Sequence, residues 1–373
     1  MTSERNTMIT ITKEFPRGDI YPIESATKGL TPILFDIETT GLSAKYATIY
    51  LIGAIEVKRD RLNFVQWFAE GPAEDQEVLE KFLSWLPDRA CLITFNGKGF
   101  DIPFLCKKCK QYNLPCYLPQ MPSIDLYGTF GPLKKYFDMS SRRLVAYEQL
   151  IGLNREDVFN GGELVNVYKE YVGKSKFNKE AAEELKTMLL LHNEEDIKDM
   201  VPVMGLLNYI DLINGNFKNY EITEELNSNG TKCVVINLEL FSSFPIAHTA
   251  YVATLPGFDT IEVITEEQGA KIKIPITNGT FKHFFDDYRN YYYLPEEDTA
   301  VHKSIAASVD STHREQATKA TAYAKASGDF LPQLSLVLNP SFKKDVTDRV
   351  TFVPVQRFCK NEAEIRAYIK ALF

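Results

Sequence analysis

The chain has 373 residues, a net charge of −8, 45% apolar residues and 25% charged residues. That is ordinary for a soluble globular protein of one large or two ordinary domains. Six cysteines without framework spacing argue against a disulfide-stapled scaffold, and no run approaches the ~18 apolar residues of a membrane span. Neither half is basic, so charge alone announces no nucleic-acid partner, although an acid cluster that binds cations reverses its local sign. The N-terminus carries early acids and no apolar core of signal-peptide length, so the expected location is the cytoplasm.

In chain order, residues 1–30 are polar and are expected to form an irregular lead-in arm. "PILFDIE", "ATIYLIGAIEVK" and "LNFVQWFA" read as three strands, the last two joined by an "RDR" turn. "EDQEVLEKFLSWL" places Val78, Leu79, Phe82, Leu83 and Leu86 at helical spacing. "CLITF" is a short strand of buried type, broken by "NGKG", and "FDIPFLCKKCKQY" follows as a helix. "LVAYEQLIG" ends in Gly152 as a C-cap. From Asn178, a possible N-cap, "NKEAAEELKTMLLLHNEEDIKDMVPVMGLLNYIDL" reads as one long helix or two, interrupted near Pro202. Beyond residue 213 the texture changes to alternating strands with an "EEQG" turn. The expected organisation is therefore an arm at 1–30, a first domain at 31–213 and an α+β accessory domain at 214–373.

Three stretches carry chemistry. In a strand, residues i and i+2 share a face, so Asp36 and Glu38 of "LFDIETTGLS" project together while Ile37 enters a core. Two carboxylates this close repel unless a positive group lies between them, and a hard divalent cation suits oxygen ligands. Asp101 follows the fourth strand and opens a helix, where it can also serve as a cap. His192 and Asp196 stand at i and i+4 on one helical face. "CKKC", Cys106 and Cys109, with Cys116 beyond, lacks the second CxxC or nearby His that would complete a tetrahedral metal site, and is expected to hold free thiols.

"FDIETTG", "NGKGFD" and "HNEED", in that order over residues 31–210, resemble the three motifs of the DEDD family of ribonuclease H-like exonucleases. The run "SIDLYGTFGPLKKYF…RLVAYEQLIGLNRED" resembles the YprB-like branch. The resemblance implies a ribonuclease H-like mixed sheet flanked by helices. It implies two divalent cations, Mg²⁺ or Mn²⁺, held by Asp36, Glu38, Asp101 and Asp196, with Asp36 bridging both. His192 would orient or deprotonate the attacking water. The family's third motif places three residues between Tyr and the Asp, or four between His and the Asp; His192 has the shorter, Tyr-like interval, with three residues between it and Asp196. The implied activity is 3′→5′ hydrolysis of single-stranded DNA or RNA. The alternatives are a structure-specific endonuclease on this scaffold, or a non-catalytic nucleic-acid-binding module, against which four intact acids count.

The resemblance also suggests that Leu42, just after the "TTG" turn, wedges against a terminal base, with a core leucine as the alternative. Asn96 is a candidate for a hydrogen bond to backbone or substrate. Lys98, Lys107 and Lys108 are candidates for phosphate contact or solvated surface residues. Lys134, Lys135, Arg142 and Arg143 either line a strand path or balance the acids. In the second half, Tyr291, Tyr292 and Tyr293 precede an expected helix start containing His302 and lie beside Lys303; they can stack bases or form a small core.

Overall fold

The structure, a computed structural model, describes residues 8–18, 21–155, 161–227, 229–252, 259–267 and 269–373. The chain divides into two compact units, Met1–Ile210 and Asp211–Phe373.

The first unit begins with β1 (Ile9–Pro16), α1 (Ile23–Ala26), β2 (Thr31–Thr39), β3 (Ile49–Val57) and β4 (Arg61–Phe68). It continues with α2 (Asp75–Trp85), β5 (Ala90–Thr94), α3 (Asp101–Tyr112), β6 (Ser123–Asp125), α4 (Leu126–Thr129) and α5 (Leu133–Tyr136). Helices α6 (Leu144–Leu150), α7 (Gly161–Lys174), α8 (Lys179–Val203) and α9 (Leu207–Ile213) complete the run. The sheet order is β1-β4-β3-β2-β5-β6, antiparallel from β1 to β2 and parallel from β2 to β6. This is the mixed α/β sheet of a ribonuclease H-like fold. Strands β2 and β5 are covered on both faces, which is why "ILF" and "CLIT" do not alternate.

The first thirty residues are not a plain arm. Ile9–Pro16 pairs along all of β4, with Phe15 set edge-on to Phe64 at 5.9 Å. The alternation of Ile9 and Ile11 with Thr10 and Thr12 is a weak edge-strand pattern that the early charges obscured.

Helix α2 packs on β3 and β4, with the Phe82 ring 5.1 Å from Phe35 and 6.0 Å from Trp67. Helix α8 packs on β2 and β3. Phe35 and Asp36 point to opposite faces of β2, so α2 covers the apolar face and α8 the face with the acids. Asn178 caps α8 by accepting from Ala181 N at 3.1 Å, and Pro202 falls in its last turn, where the helix gives way to a short 3₁₀ segment before α9.

The second unit holds β7 (Asn219–Leu226), β8 (Lys232–Glu239), β9 (His248–Val252), β10 (Ile261–Glu266), β11 (Gly269–Pro275) and β12 (Thr277–Phe284). After these come β13 (Tyr291–Leu294), β14 (Thr299–His302), α10 (Lys303–Ala306), β15 (Glu315–Gln316), β16 (Tyr323–Gln333), β17 (Thr351–Pro354) and α11 (Glu362–Lys370). They form a five-stranded sheet, β7-β8-β11-β10-β9, and two three-stranded sheets, β12-β16-β17 and β14-β13-β15. Phe281, Phe330, Phe342 and Phe352 make a small core. The expected helix start after the three tyrosines is instead a hairpin. Tyr291–Leu294 pairs with Thr299–His302, the acids lie in the turn, and helix begins only at Lys303. Aromatic and β-branched residues favour strands here, and Asp298 takes the left-handed backbone the turn needs, φ 48°, while accepting from Tyr293 Oη at 2.6 Å. Tyr291 stacks on Phe285 at 4.2 Å, and Arg314 and Lys303 lie over Tyr292.

Of the candidate phosphate-contacting lysines, Lys107 is exposed and Lys108 is not. The Lys108 ammonium lies 2.6 Å from Asp75 Oδ2, and both side chains are 2% exposed. Asp75 also accepts from Tyr112 Oη at 2.6 Å and from Ile49 N at 2.9 Å, tying α2, α3 and β3 together. Lys108 is thereby excluded as a surface phosphate contact. Asp75→Ala leaves that ammonium buried without its partner and should destabilise the fold by about 3–5 kcal/mol in urea titration, whereas Lys107→Ala should stay within about 0.5 kcal/mol. Equal effects from the two substitutions would contradict the buried pair.

Candidate active site

Three elements bring the predicted acids together. Asp36 and Glu38 project from the end of β2 toward α8. Asp101, at the first position of α3, accepts from Ile37 N at 3.2 Å, so its carboxylate lies against the backbone between them. His192 Nε2 is 3.5 Å from Glu38 Oε1 and 3.4 Å from Asp196 Oδ2. Among the described residues, Glu38, His192 and Asp196 form the one set whose ligand atoms all lie within 4.8 Å of one another. The short interval between His192 and Asp196 therefore leaves the imidazole at the acid cluster, because i and i+4 share a helical face.

Side chains that sequence reasoning missed hold this arrangement. Asp36 pairs across the sheet with Gly53. A Cβ at Gly53 would lie 2.1 Å from Asn193 Oδ1 and 2.3 Å from Ile197 Cδ1, so only glycine lets α8 approach here. In that space Asn193 Nδ2 donates to Asp36 Oδ2 at 3.3 Å, and Gln66 Nε2 donates to Asn193 Oδ1 at 3.0 Å. Asn193 and Gln66 are buried, so the chain Gln66–Asn193–Asp36 fixes one acid from β4 through α8. The β2–β3 register slips between Glu38 and Thr39, leaving Tyr50 as the extra residue, and Tyr50 Oη donates to Glu38 Oε2 at 3.3 Å. Arg155 bonds Glu148 and Asp196. Asn193 stands beside His192 in the third motif, and Gly53 sits unexpectedly inside an apolar strand; these were the available signals.

The loop before α3 is held by Asp125, at the end of β6. Its Oδ1 accepts from Asn96 N at 2.9 Å and its Oδ2 from Lys98 N at 3.1 Å. Asn96 takes a left-handed backbone, φ 69°, and both Asn96 and Lys98 are solvent-exposed. Leu42 is 88% exposed, so it is not a core leucine. Lys134, Lys135 and Arg143 are exposed, while Arg142 lies over the Tyr127 ring at 4.1 Å. Cys106 and Cys116 are free, with sulfurs 2.8 Å apart, and burial pushes the Cys106 and Cys109 thiols up to about 12.

The electrostatics follow from crowding. Asp36 keeps some solvent contact at the mouth of the cluster, yet desolvation by surrounding protein, then the charges of Asp101, Glu38 and Asp196, push its pKa well above the usual range, against the Asn193 hydrogen bond. Burial is the main cause that carries Glu38 to about 8, with Asp196 adding to it and His192 opposing it. Burial likewise carries Asp101 to about 7, opposed by its own and the Ile37 backbone N–H. A divalent cation fits these residues: clustered carboxylate oxygens, desolvated and mutually repelling, are a hard donor set that lacks enough positive charge.

A family model described as the RNase_H superfamily matches residues 33–208. Those residues belong to the ribonuclease H superfamily. The chain is similar to YprB of Bacillus subtilis, 30% identical over 172 residues, covering 45% of this chain and 39% of that one. It is 31% identical over 134 residues to the PolC-type DNA polymerase III of Mycoplasma pneumoniae, covering 30% of this chain and 9% of that one. The chain thus spans well under half the length of these relatives. Similar solved structures include the family B DNA polymerase of Pyrobaculum calidifontis, at 13% identity and TM-score 0.37, covering 74% of this chain and 40% of that one. Exonuclease I of E. coli in complex with a dA16 oligonucleotide matches at 10% identity and TM-score 0.27, covering 57% of this chain and 55% of that one. No described helix is long and apolar enough to cross a membrane.

The raised acids give a sign for the pH dependence of the metal-free protein. Unfolded carboxylates lose their protons near pH 4, whereas the folded Glu38 holds its proton to about 8. Between those values the folded state binds more protons, so stability falls as pH rises. In the presence of a chelator the melting temperature should fall from pH 5 to pH 8, and Asp36→Asn should flatten that slope. A melting temperature that rises over this range in the wild type would contradict the crowding.

Proposed function

We propose that this protein is a metal-dependent nuclease of DEDD type, acting as a 3′→5′ exonuclease on single-stranded DNA or RNA with two divalent cations, Mg²⁺ or Mn²⁺. The observation that carries the reading is that desolvated Asp36, Glu38 and Asp101, from β2 and α3, come together with Asp196 of α8 beside His192. A binding-only scaffold has no use for repelling acids in such a place. The family membership of residues 33–208 supports the same chemistry.

Asp36, Glu38, Asp101 and Asp196 would hold the cations, with Asp36, which feels the charge of the other three, as the ligand they would share. The cations, when bound, supply Lewis-acid activation of water and stabilise charge on the attacking and leaving oxygens. His192 Nε2, within 3.5 Å of two of the carboxylates, orients the attacking water and takes its proton. Tyr50 and Asn193 each hold one oxygen, of Glu38 and Asp36 respectively, and Glu38 Oε1 is left facing His192. Leu42 is the residue to stack on a terminal base, and Asn96 and Lys98 border the same end of the sheet for substrate contact. Residues 214–373 act as an accessory unit.

End-labelled single-stranded DNA and RNA incubated with Mg²⁺, Mn²⁺ or EDTA test the reading. The expected result is a ladder of products from one end, abolished by EDTA and by Asp36→Ala. His192→Ala should lower the rate roughly 10²–10⁴-fold, and His192→Tyr should retain more activity than the alanine variant. Internal cuts would indicate an endonuclease. Binding with no cleavage under any metal would overturn the proposal.

A further inference from the structure

Arg155 lies beyond the three motifs yet reaches the cluster. It follows α6, whose Glu148 side chain is fully buried. Arg155 Nε donates to Glu148 Oε2 and its NH2 group to Glu148 Oε1, both at 2.5 Å, which is the two-pronged fork of a guanidinium on a carboxylate. Its remaining NH1 group is ion-paired with Asp196 Oδ1. The other oxygen of Asp196, Oδ2, is the one that faces His192 at 3.4 Å.

One carboxylate thus has its two oxygens separated by task. Oδ1 is tied to protein, and Oδ2 is presented to the cluster. Resting on the nuclease reading above, we infer that Glu148 and Arg155 are a positioning pair that fixes the rotamer of Asp196 and so sets the affinity of the site for its cation. Glu148 neutralises Arg155, so the guanidinium adds little net charge to compete with a cation. The fork and the Asp196 contact together commit three of the five N–H donors to direction rather than to substrate. At 12% exposure, Arg155 is also poorly placed to follow a moving phosphate. A lysine would keep a charge near Asp196 but could not span both carboxylates in one plane.

Partners of metal ligands of this kind are worth 10–100-fold in metal affinity. The test is Mn²⁺ affinity, read from the electron paramagnetic resonance signal of free Mn²⁺, for the full chain and two variants. Arg155→Lys keeps the charge and loses the fork. The double variant Arg155→Met with Glu148→Leu removes both members and leaves no unpaired buried charge. Both should bind Mn²⁺ roughly 10–100-fold more weakly while their circular dichroism stays native. A pair that only braces the fold would lower the melting temperature and leave Mn²⁺ affinity unmoved, which would overturn the inference. Tighter binding would overturn it too, because Arg155 would then be a competitor for Asp196. A wild-type chain that binds no Mn²⁺ would defeat the metal reading itself, and with it this inference; wild-type binding with unchanged variants defeats the inference alone.

Discussion

The burial of carboxylates that lie close together is the constraint on which this molecule's first unit depends. Asp36, Glu38 and Asp101 are held in or at the mouth of a desolvated cluster, each pushed above its ordinary pKa first by burial. A fold relaxes such a cluster unless its backbone is rigid, and here the backbone is the centre of a six-stranded sheet covered by helices. The acids sit at the end of β2, at the start of α3 and within α8. Protein packing holds these positions in place, so burial acts on the protonation state of the acids.

The supports form a second layer that contains no acid of the cluster. Gln66 and Asn193 steady Asp36, Tyr50 steadies Glu38, the Ile37 amide steadies Asp101, and Arg155 steadies Asp196. Each support comes from a different element than the acid it holds. The arrangement depends on one absence, the missing side chain at Gly53, which lets α8 settle onto β3 and bring His192, Asn193 and Asp196 within reach. Aligned acids thus require a close helix–sheet approach, which in turn requires a glycine opposite Asp36.

Much of the fold was legible because the signals were local. Strands β2 to β5 and helices α2, α3 and α8 announce themselves by apolar pattern, and the period-2 and period-3.6 rules place Asp36 with Glu38 and His192 with Asp196. What was not legible depends on long-range partners. Strand β1 is stabilised by pairing with β4, and its charged edge masks the alternation. Lys108 looks like any helix-surface lysine until Asp75, 33 residues earlier, is brought beneath it. The hairpin at Tyr291–His302 was read as a helix start because an acid-rich turn mimics the first turn of a helix. Glu148 and Arg155 lie within the run that resembles the YprB-like branch, but nothing local in that run pairs them with Asp196, about 40 residues later.

The central claim is that burial lets Glu38, and in part Asp101, keep protons near neutrality until a cation replaces them. Isothermal titration calorimetry of Mn²⁺ binding at pH 7, repeated in buffers of different ionisation enthalpy, counts the protons exchanged. Net release of protons on binding, shrinking as the pH is raised to 9, is the predicted result. Mn²⁺ binding with no proton release at pH 7 would mean that the acids are already ionised and tolerate one another, and would contradict the account.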